Sequence, residues 1–394
     1  MTPLAVTDFT LASALGVGRA ATLAALQACR TGLAPQDFET AVIGTWLGVA
    51  HGVDEVVLAP ELAAFDCRNN RLAELGLRAD GFALRVRQAA QRWGAARVGV
   101  FLGTSTSGIL QTEIAYRHRD PATGALPASL HYGQTHNTYS VARYVRAALG
   151  LRGPACVVST ACSSSAKVFA AAQRMIALGV VDAAVVGGVD SLCMTTLYGF
   201  KSLELVSSDI CRPWDAQRNG LSLGEAAAFA LVEREPRQVQ AWLLGAGETS
   251  DGHHMSSPHP EGAGAAAAMQ AALASAGLQP GDVDYLNLHG TGTPGNDAAE
   301  DMAVCTVFGS SLPCSSTKGY TGHTLGAAGG VEAAIAMLAL QHGFMPAGLN
   351  VQQPDPALHS QYLREPRDAS LRVVASNSFG FGGSNCSLIF GVAT

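Results

Sequence analysis

Apolar runs of strand length alternate along this chain with longer stretches at helical spacing, and the alternation recurs on both sides of one charged, proline-containing link. Before the link the strand-like runs fall at 97–102, 155–159, 183–189 and 227–233, with helices at 84–91 and 166–178. Runs that are apolar throughout mark strands buried on both faces, and helical crossovers of this length allow neighbours to lie parallel. The link at 234–238 carries Arg234, Glu235, Pro236 and Arg237, and beyond it runs at 241–246, 284–288 and 373–375 repeat the pattern. The chain therefore reads as α/β with a buried mixed sheet in two halves, residues 1–235 and 236–394. Each half has the length of an ordinary domain.

Only 14% of the residues are charged, against about 25% in an average protein, while 48% are hydrophobic. That balance requires a large buried fraction and further burial by association. The net charge of −6 argues against a broad nucleic-acid surface. Nine cysteines are scattered without zinc-like pair spacing, which fits a reducing, cytoplasmic setting better than a disulfide framework. The first residues lack a basic segment followed by an apolar core, and Glu332 interrupts the longest small-residue helix, so neither a signal peptide nor membrane insertion is expected.

The chemistry begins at Cys162, in Val157-Val158-Ser159-Thr160-Ala161-Cys162-Ser163-Ser164-Ser165-Ala166, where a strand-like run meets a helix. Free amide N–H groups and the positive end of a helix favour thiolate over thiol, so a depressed thiol pKa is expected there. The other reading is a small buried hydrophobe. Two downstream segments supply partners: Leu288-His289-Gly290-Thr291-Gly292-Thr293 and Lys318-Gly319-Tyr320-Thr321-Gly322-His323. Glycines beside each histidine let backbone approach a ligand closely, and two such histidines with a lysine and a junction cysteine shift the balance toward catalysis.

These segments, with the terminal Asn377-Ser378-Phe379-Gly380-Phe381-Gly382-Gly383-Ser384-Asn385, resemble those of the β-ketoacyl-acyl carrier protein synthases, thiolase-superfamily condensing enzymes of Cys-His-His type, and they follow that family's order. The likeness continues through Arg212-Pro213-Trp214-Asp215, Arg218, Gly220, Gly224 and Glu225 and through Ser250-Asp251-Gly252-His253-His254-Met255, so it spans nearly the whole chain. One glycine-rich piece is a weak signal; four catalytic segments in register are a strong one.

For the fold, the resemblance implies a thiolase-like arrangement of two pseudo-twofold-related α/β halves with mixed sheets in layers. The N-terminal half carries the nucleophile and the C-terminal half the histidines and lysine. For the activity it implies an acyltransferase, a 3-oxoacyl synthase that joins an acyl group held on Cys162 to malonyl-acyl carrier protein by decarboxylative Claisen condensation. The N–H groups of Cys162 and Phe381 form the oxyanion hole; His289 and His323 stabilise the enolate; Lys318 places a charge near His323; Glu300 organises the site through water and Lys318. Thr291 and Thr293 contact the phosphopantetheine arm, and Phe379 and Phe381, in a glycine-rich hinge loop, gate the acyl pocket. No cofactor is implied beyond that arm, which belongs to the carrier protein, and no metal.

By the same resemblance, residues 102–109 border the acyl pocket and residues 131–137 reach the pocket of a neighbouring subunit, with Thr106, Gln134 and His136 among the lining groups. Hydroxyl, amide and imidazole groups there favour a hydrogen-bonding or polarisable chain, which suggests an aryl or polyenoyl substrate in a specialised polyketide-like or aryl polyene pathway. Arg68, Arg71, Arg117 and Arg119 are candidates for docking the acidic carrier protein. The assembly is a homodimer or a heterodimer with a chain-length-factor-like subunit, and primary fatty-acid elongation is the alternative role. A thiolase would carry a second cysteine within 379–383, priming synthases typically put asparagine in place of His323, and a chain-length factor lacks the cysteine. Asp251-Gly252-His253-His254 with His259 could mimic a zinc site, but no neighbouring cysteine completes a set.

Overall fold

Most of the apolar runs become strands within a residue or two of the expected bounds. The computed structural model describes residues 1–392. The principal strands of the first half are β1 (Leu4–Ser13), β2 (Val98–Gly103), β3 (Ala155–Val158), β4 (Ala183–Asp190) and β5 (Ala226–Glu233). Those of the second are β6 (Ala241–Ser250), β7 (Tyr285–Asn287), β8 (Pro313–Ser315), β9 (Val373–Gly380) and β10 (Ser384–Val392). Their spatial order is β3-β2-β4-β5-β1 in one half and β8-β7-β9-β10-β6 in the other.

Both orders read 3-2-4-5-1 when each half is counted from its own first strand. The pairing directions match as well: β2 is parallel to β3 and β4, and β5 is antiparallel to β4 and β1. Likewise β7 is parallel to β8 and β9, and β10 is antiparallel to β9 and β6. The repeat is thus explicit in the connectivity, as the thiolase-like arrangement requires. Leu4–Val6 pairs with Ala241–Leu243 and joins the two groups of strands. The link from Arg234 to Gln240 lies between β5 and β6.

Four helices matter most for the site: α1 (Ser164–Ala177), α2 (Ala263–Ala276), α3 (Pro294–Phe308) and α4 (Ala328–His342). The first and last form the central layer, because Phe169, Ala172 and Ile176 of α1 and Val331, Ile335 and Leu338 of α4 share one core with strands of both halves. Side chains of a strand alternate between faces, so Ala228, Ala230 and Val232 of β5 meet this layer while Ala227, Phe229 and Leu231 face the opposite way. There they meet Leu72 and Phe82 of the helices Arg68–Arg78 and Phe82–Trp93. In the second half α2 and α3 form the corresponding outer core with Leu286 and Ile389. A helix apolar on every side belongs in an interior, and α4 is buried from Ala328 to Leu340, Glu332 included.

Two long strands escaped the sequence reading. Strand β1 carries Asp8 and several hydroxyl residues, which break its apolar run; Asp8 is nonetheless buried, bonded by the Phe9 N–H and paired with Arg19. Strand β10 opens with Ser384 and Asn385, which read as part of a loop. The expected hinge loop is in fact a tight hairpin: Phe379 and Gly380 end β9, Phe381–Gly383 form a single turn, and β10 follows at once.

Candidate active site

Strand β3 ends four residues before Cys162, and α1 starts two residues after it. Between them Ala161 has φ of +52°, a left-handed conformation that costs a non-glycine residue about 1–2 kcal/mol. Hydroxyls hold this turn. Ser163 donates to the Thr160 carbonyl at 2.9 Å and Ser164 to the Ala161 carbonyl at 2.5 Å, while Ser164 also accepts from the Thr160 N–H at 2.9 Å. Ser165 accepts from the Gly330 N–H at 2.8 Å and ties α1 to α4. The small polar run after the cysteine is therefore a brace for the backbone of Cys162.

Three soft donors converge at the cavity: Cys162 Sγ and one nitrogen each of His289 and His323 lie within 4.8 Å of one another. His323 Nε2 is 2.9 Å from Sγ, and the two imidazole rings stand 5.3 Å apart at 85°. Their tautomers follow from their outer neighbours. His323 Nδ1 accepts from the Leu325 N–H at 3.3 Å, so its proton resides on Nε2 and points at the sulfur. His289 Nδ1 faces the Lys318 ammonium at 3.4 Å, which only donates, so its proton is also on Nε2. Burial and the Lys318 charge hold both imidazoles well below the ordinary histidine value, which leaves two neutral rings.

Lys318, 2% exposed, forms an ion pair with Glu332 of α4, 3% exposed, and donates to the His289 carbonyl. Burial pushes the Glu332 carboxyl up to about 7 against the pull of that ammonium. One expectation is refined here and another changes. The lysine contacts His289 directly while only its charge reaches His323, and the carboxylate that meets it is Glu332, which in sequence reads only as a charge interrupting an apolar helix. Glu300 of α3 instead accepts the N–H groups of His289 and Gly290 at 2.8 and 2.7 Å and the Asn377 amide at 3.2 Å. It fixes the backbone of the His289 turn, where Gly290 has a positive φ and a Cβ would lie 2.4 Å from that of Ser316. Burial raises Glu300 to about 7 against those donors.

The depressed thiol is a second expectation that changes. Cys162 is 4% exposed, and burial pushes its thiol up to about 12, opposed by the Lys318 charge and by the Phe381 N–H at the sulfur. The donors around Sγ are thus placed to stabilise the thiolate as it forms in a site that otherwise keeps the thiol neutral.

A cavity of about 450 Å³ opens onto Cys162, His289 and His323, with Thr291, Thr293 and Phe381 on its walls. The two threonine hydroxyls are 2.9 Å apart. Phe379 packs on His289 with ring centres at 5.9 Å, and Phe381 packs on Phe200 at 5.5 Å. Between them, a Cβ on Gly380 would approach the Thr160 carbonyl oxygen to 2.7 Å and the Cys162 nitrogen to 3.2 Å. Gly380→Ala is accordingly expected to displace the N–H groups of Cys162 and Phe381 and to lower kcat for acyl transfer about 10²-fold. Unchanged kcat in a folded variant, measured by thiol release from an acyl-pantetheine donor, would contradict this placement.

Thr106, Gln134 and His136 are not brought to this cavity. The Thr106 hydroxyl bonds to Asp190 at 3.0 Å, the Gln134 carbonyl accepts from Asn70, and His136 Nδ1 lies 2.8 Å from the Thr112 hydroxyl. Of the arginines, Arg68 is committed to the buried Glu225 and to Asp54, Arg71 pairs with Asp66 and Arg117 with Glu39, while Arg119 is exposed. His253 and His259 pack edge to face with ring centres 5.1 Å apart, and among the described residues no third ligand is grouped with them. Cys386 is fully buried in β10.

With that geometry established, residues 70–238 match the family model described as "Beta-ketoacyl synthase, N-terminal domain" and residues 240–352 the one described as "Beta-ketoacyl synthase, C-terminal domain". The chain is similar to the mitochondrial 3-oxoacyl-[acyl-carrier-protein] synthase of Arabidopsis thaliana, 39% identical over 61% of this chain and 57% of that protein. It is 36% identical to nodulation protein E of Rhizobium meliloti over 75% of this chain and 76% of the relative. Among solved structures, a ketosynthase (ApeO) in complex with its chain length factor (ApeC) from Xenorhabdus doucetiae superposes with a TM-score of 0.89. That match has 37% identity and covers 99% of this chain and 98% of the other. The alignment to the Arabidopsis protein thus spans little more than half of its length. Among the described residues no helix is long and apolar enough to cross a membrane.

Proposed function

The chain belongs to the β-ketoacyl synthase family, and from that premise we propose that it catalyses decarboxylative condensation of an acyl thioester with malonyl-acyl carrier protein. The observation that carries this reading is the convergence of one thiol and two neutral Nε2–H donors on a single cavity. In the first half-reaction Cys162 attacks the acyl thioester; the carbon–sulfur bond to the phosphopantetheine arm breaks, and the thiol proton leaves with the departing arm. The N–H groups of Cys162 and Phe381 receive the charge that develops on the carbonyl oxygen. A malonyl thioester then enters beside Thr291 and Thr293, whose hydroxyls hold the arm. Loss of carbon dioxide leaves an enolate, whose oxygen the Nε2–H groups of His289 and His323 bind. Its carbon attacks the acyl group, releasing the β-ketoacyl thioester and the Cys162 thiolate, which regains a proton.

Neutral imidazoles suit this chemistry, since a protonated ring would hold a ground-state carboxylate as firmly as the enolate. The charge comes from Lys318 behind His289. We further propose that the enzyme works in the cytoplasm as a dimer, with a chain-length-factor-like subunit as partner, in a polyketide-like pathway with aryl or polyenoyl donors. Support for the partner comes from the similarity, over 99% of this chain, to a ketosynthase solved in complex with its chain length factor. Primary fatty-acid elongation is the second reading, favoured by the similarity to 3-oxoacyl synthases.

Intact-protein mass after incubation with acyl-loaded carrier proteins separates the two. A polyenoyl or aryl increment forming at least about tenfold faster than a saturated one is expected, a gap that differential pocket contacts readily supply. Comparable labelling by saturated medium chains would support primary elongation instead. Labelling only after a chain-length-factor-like subunit is added would establish the heterodimer.

A further inference from the structure

Asp190 ends β4 and is fully buried, yet it lies outside the cavity and has no part in the chemistry above. Its carboxylate collects donors from two directions. From the loop after β2 it accepts the Thr104 hydroxyl at 2.5 Å, the Ser105 N–H at 2.8 Å and the Ser105 hydroxyl. The Thr106 N–H and hydroxyl add two bonds, each of 3.0 Å. From the second half of the chain it accepts the Gly326 N–H at 2.6 Å. A Cβ on Gly326 would come within 2.7 Å of Asp190 Oδ2 and 2.8 Å of the Ser105 nitrogen, so the approach is one that only glycine permits.

Gly326 follows Leu325, which has φ of +53° and whose N–H is the donor to His323 Nδ1. The other end of that turn is held at His323 itself, whose N–H donates to the Ser222 carbonyl at 2.7 Å and whose carbonyl accepts from Gly224 at 3.0 Å. We infer that Asp190 is a positioning residue for the condensation, acting through Gly326 and the strained Leu325 peptide to fix His323 as the Nε2–H tautomer aimed at Cys162. The carboxylate anchors one end of the His323–Gly326 turn as the Ser222 and Gly224 bonds anchor the other. Without it the turn is free to relax Leu325 out of the left-handed region, and its N–H leaves Nδ1. The hydroxyl-rich segment 104–106 is then half of a clamp that spans the two halves of the chain, and its polarity reports on the nucleophile's partner.

This inference rests on the condensing role proposed above for the kinetic part of its test, and on geometry alone for the spectroscopic part. Protein labelled with ¹⁵N-histidine, with His323 assigned by comparison with His323→Asn, is expected to show a bare Nδ1 and a protonated Nε2 in the wild type. In Asp190→Asn, checked for folding by near-ultraviolet circular dichroism, His323 is expected to populate both tautomers. Condensation kcat should fall about 10²-fold with KM for the acyl carrier substrate within about twofold, as expected for misplacing a group that acts in the transition state. A folded Asp190→Asn protein with a single Nε2–H tautomer and wild-type kcat would overturn the proposal. Should that variant not fold, Ser105→Ala, which removes one donor at a partly exposed position, decides: a displaced His323 Nδ1 signal with reduced kcat supports the clamp, and wild-type values overturn it. If neither wild type nor variant condenses but their His323 tautomers differ, the condensing reading fails and the clamp stands.

Discussion

Cys162→Ala is expected to form no acyl-enzyme with any donor and to lose condensation by about 10⁴-fold or more, the scale seen when a nucleophile acting within a catalytic unit is removed. The same variant should still decarboxylate malonyl-acyl carrier protein, because the enolate-binding donors do not depend on the sulfur. His289 is oriented by Lys318 and Glu300 through its carbonyl, its N–H and Nδ1, and His323 by Leu325, Ser222 and Gly224. None of those contacts passes through Cys162. The measurement is paired: intact mass for the acyl increment, and carbon dioxide release from malonyl-acyl carrier protein alone. An acyl increment persisting in the variant would remove Cys162 as the nucleophile. Loss of decarboxylation together with condensation, in a folded variant, would mean that the two imidazoles do not act as the independent donor pair their contacts describe.

The second large effect is expected at Lys318, where stability and chemistry can be separated. Replacing one member of a buried ion pair strands the other, at a cost of about 3–5 kcal/mol, so Lys318→Met should unfold at markedly lower temperature. The loss should grow with pH. Glu332 is already raised to about 7 in the folded protein by burial, and without the ammonium it rises further. A carboxyl with a raised folded pKa stabilises the fold fully only below its unfolded value near 4.5 and surrenders that contribution as pH climbs toward the folded value. The variant's window therefore extends higher than the wild type's, and its deficit is larger at pH 8 than at pH 5. Lys318→Met with Glu332→Leu should recover most of the stability, since apolar replacement of a buried pair is commonly neutral or favourable. It should not recover activity, which is expected to remain about 10²- to 10³-fold down, because the charge that fixes the His289 tautomer is gone. The Lys318 charge is also part of what holds both imidazoles low, so the acidic limb of kcat should move to higher pH in the variants. A double variant with wild-type activity would assign Lys318 to stability alone.

The cluster of Cys162, His289, Lys318 and His323 was legible because each member sits in a short segment whose local sequence is unusual: glycines beside histidines, a cysteine at a strand-to-helix junction. Strands such as β4 and β5 were legible because they are apolar on both faces. What stayed hidden depends on contacts between segments far apart in the chain. Glu332 looks like a flaw in an apolar helix until Lys318, 14 residues earlier, is placed against it. Strand β1 looks polar until Arg19 is placed against the buried Asp8 carboxylate. The bonding of the hydroxyls at 104–106 is hidden too, because nothing local reveals that Asp190, more than 80 residues away, gathers them. Polar groups in an interior are informative only with their partners, and sequence proximity does not supply these.

The paired strand order has one more consequence. Counted within its own half, Cys162 follows the third strand, and Lys318 and His323 also follow the third strand, so the proposed nucleophile and its proposed helpers occupy the same address in two copies of one plan. A gene carrying such a duplicated plan can let one copy drift in its chemistry while the shared layer of α1 and α4 preserves the architecture. A single codon change at position 162 would silence the catalyst and leave a scaffold of unchanged shape, still able to present its surfaces to a sibling chain. Active and silent descendants of one ancestor are then a short evolutionary step apart, and a division of labour between them requires no new fold.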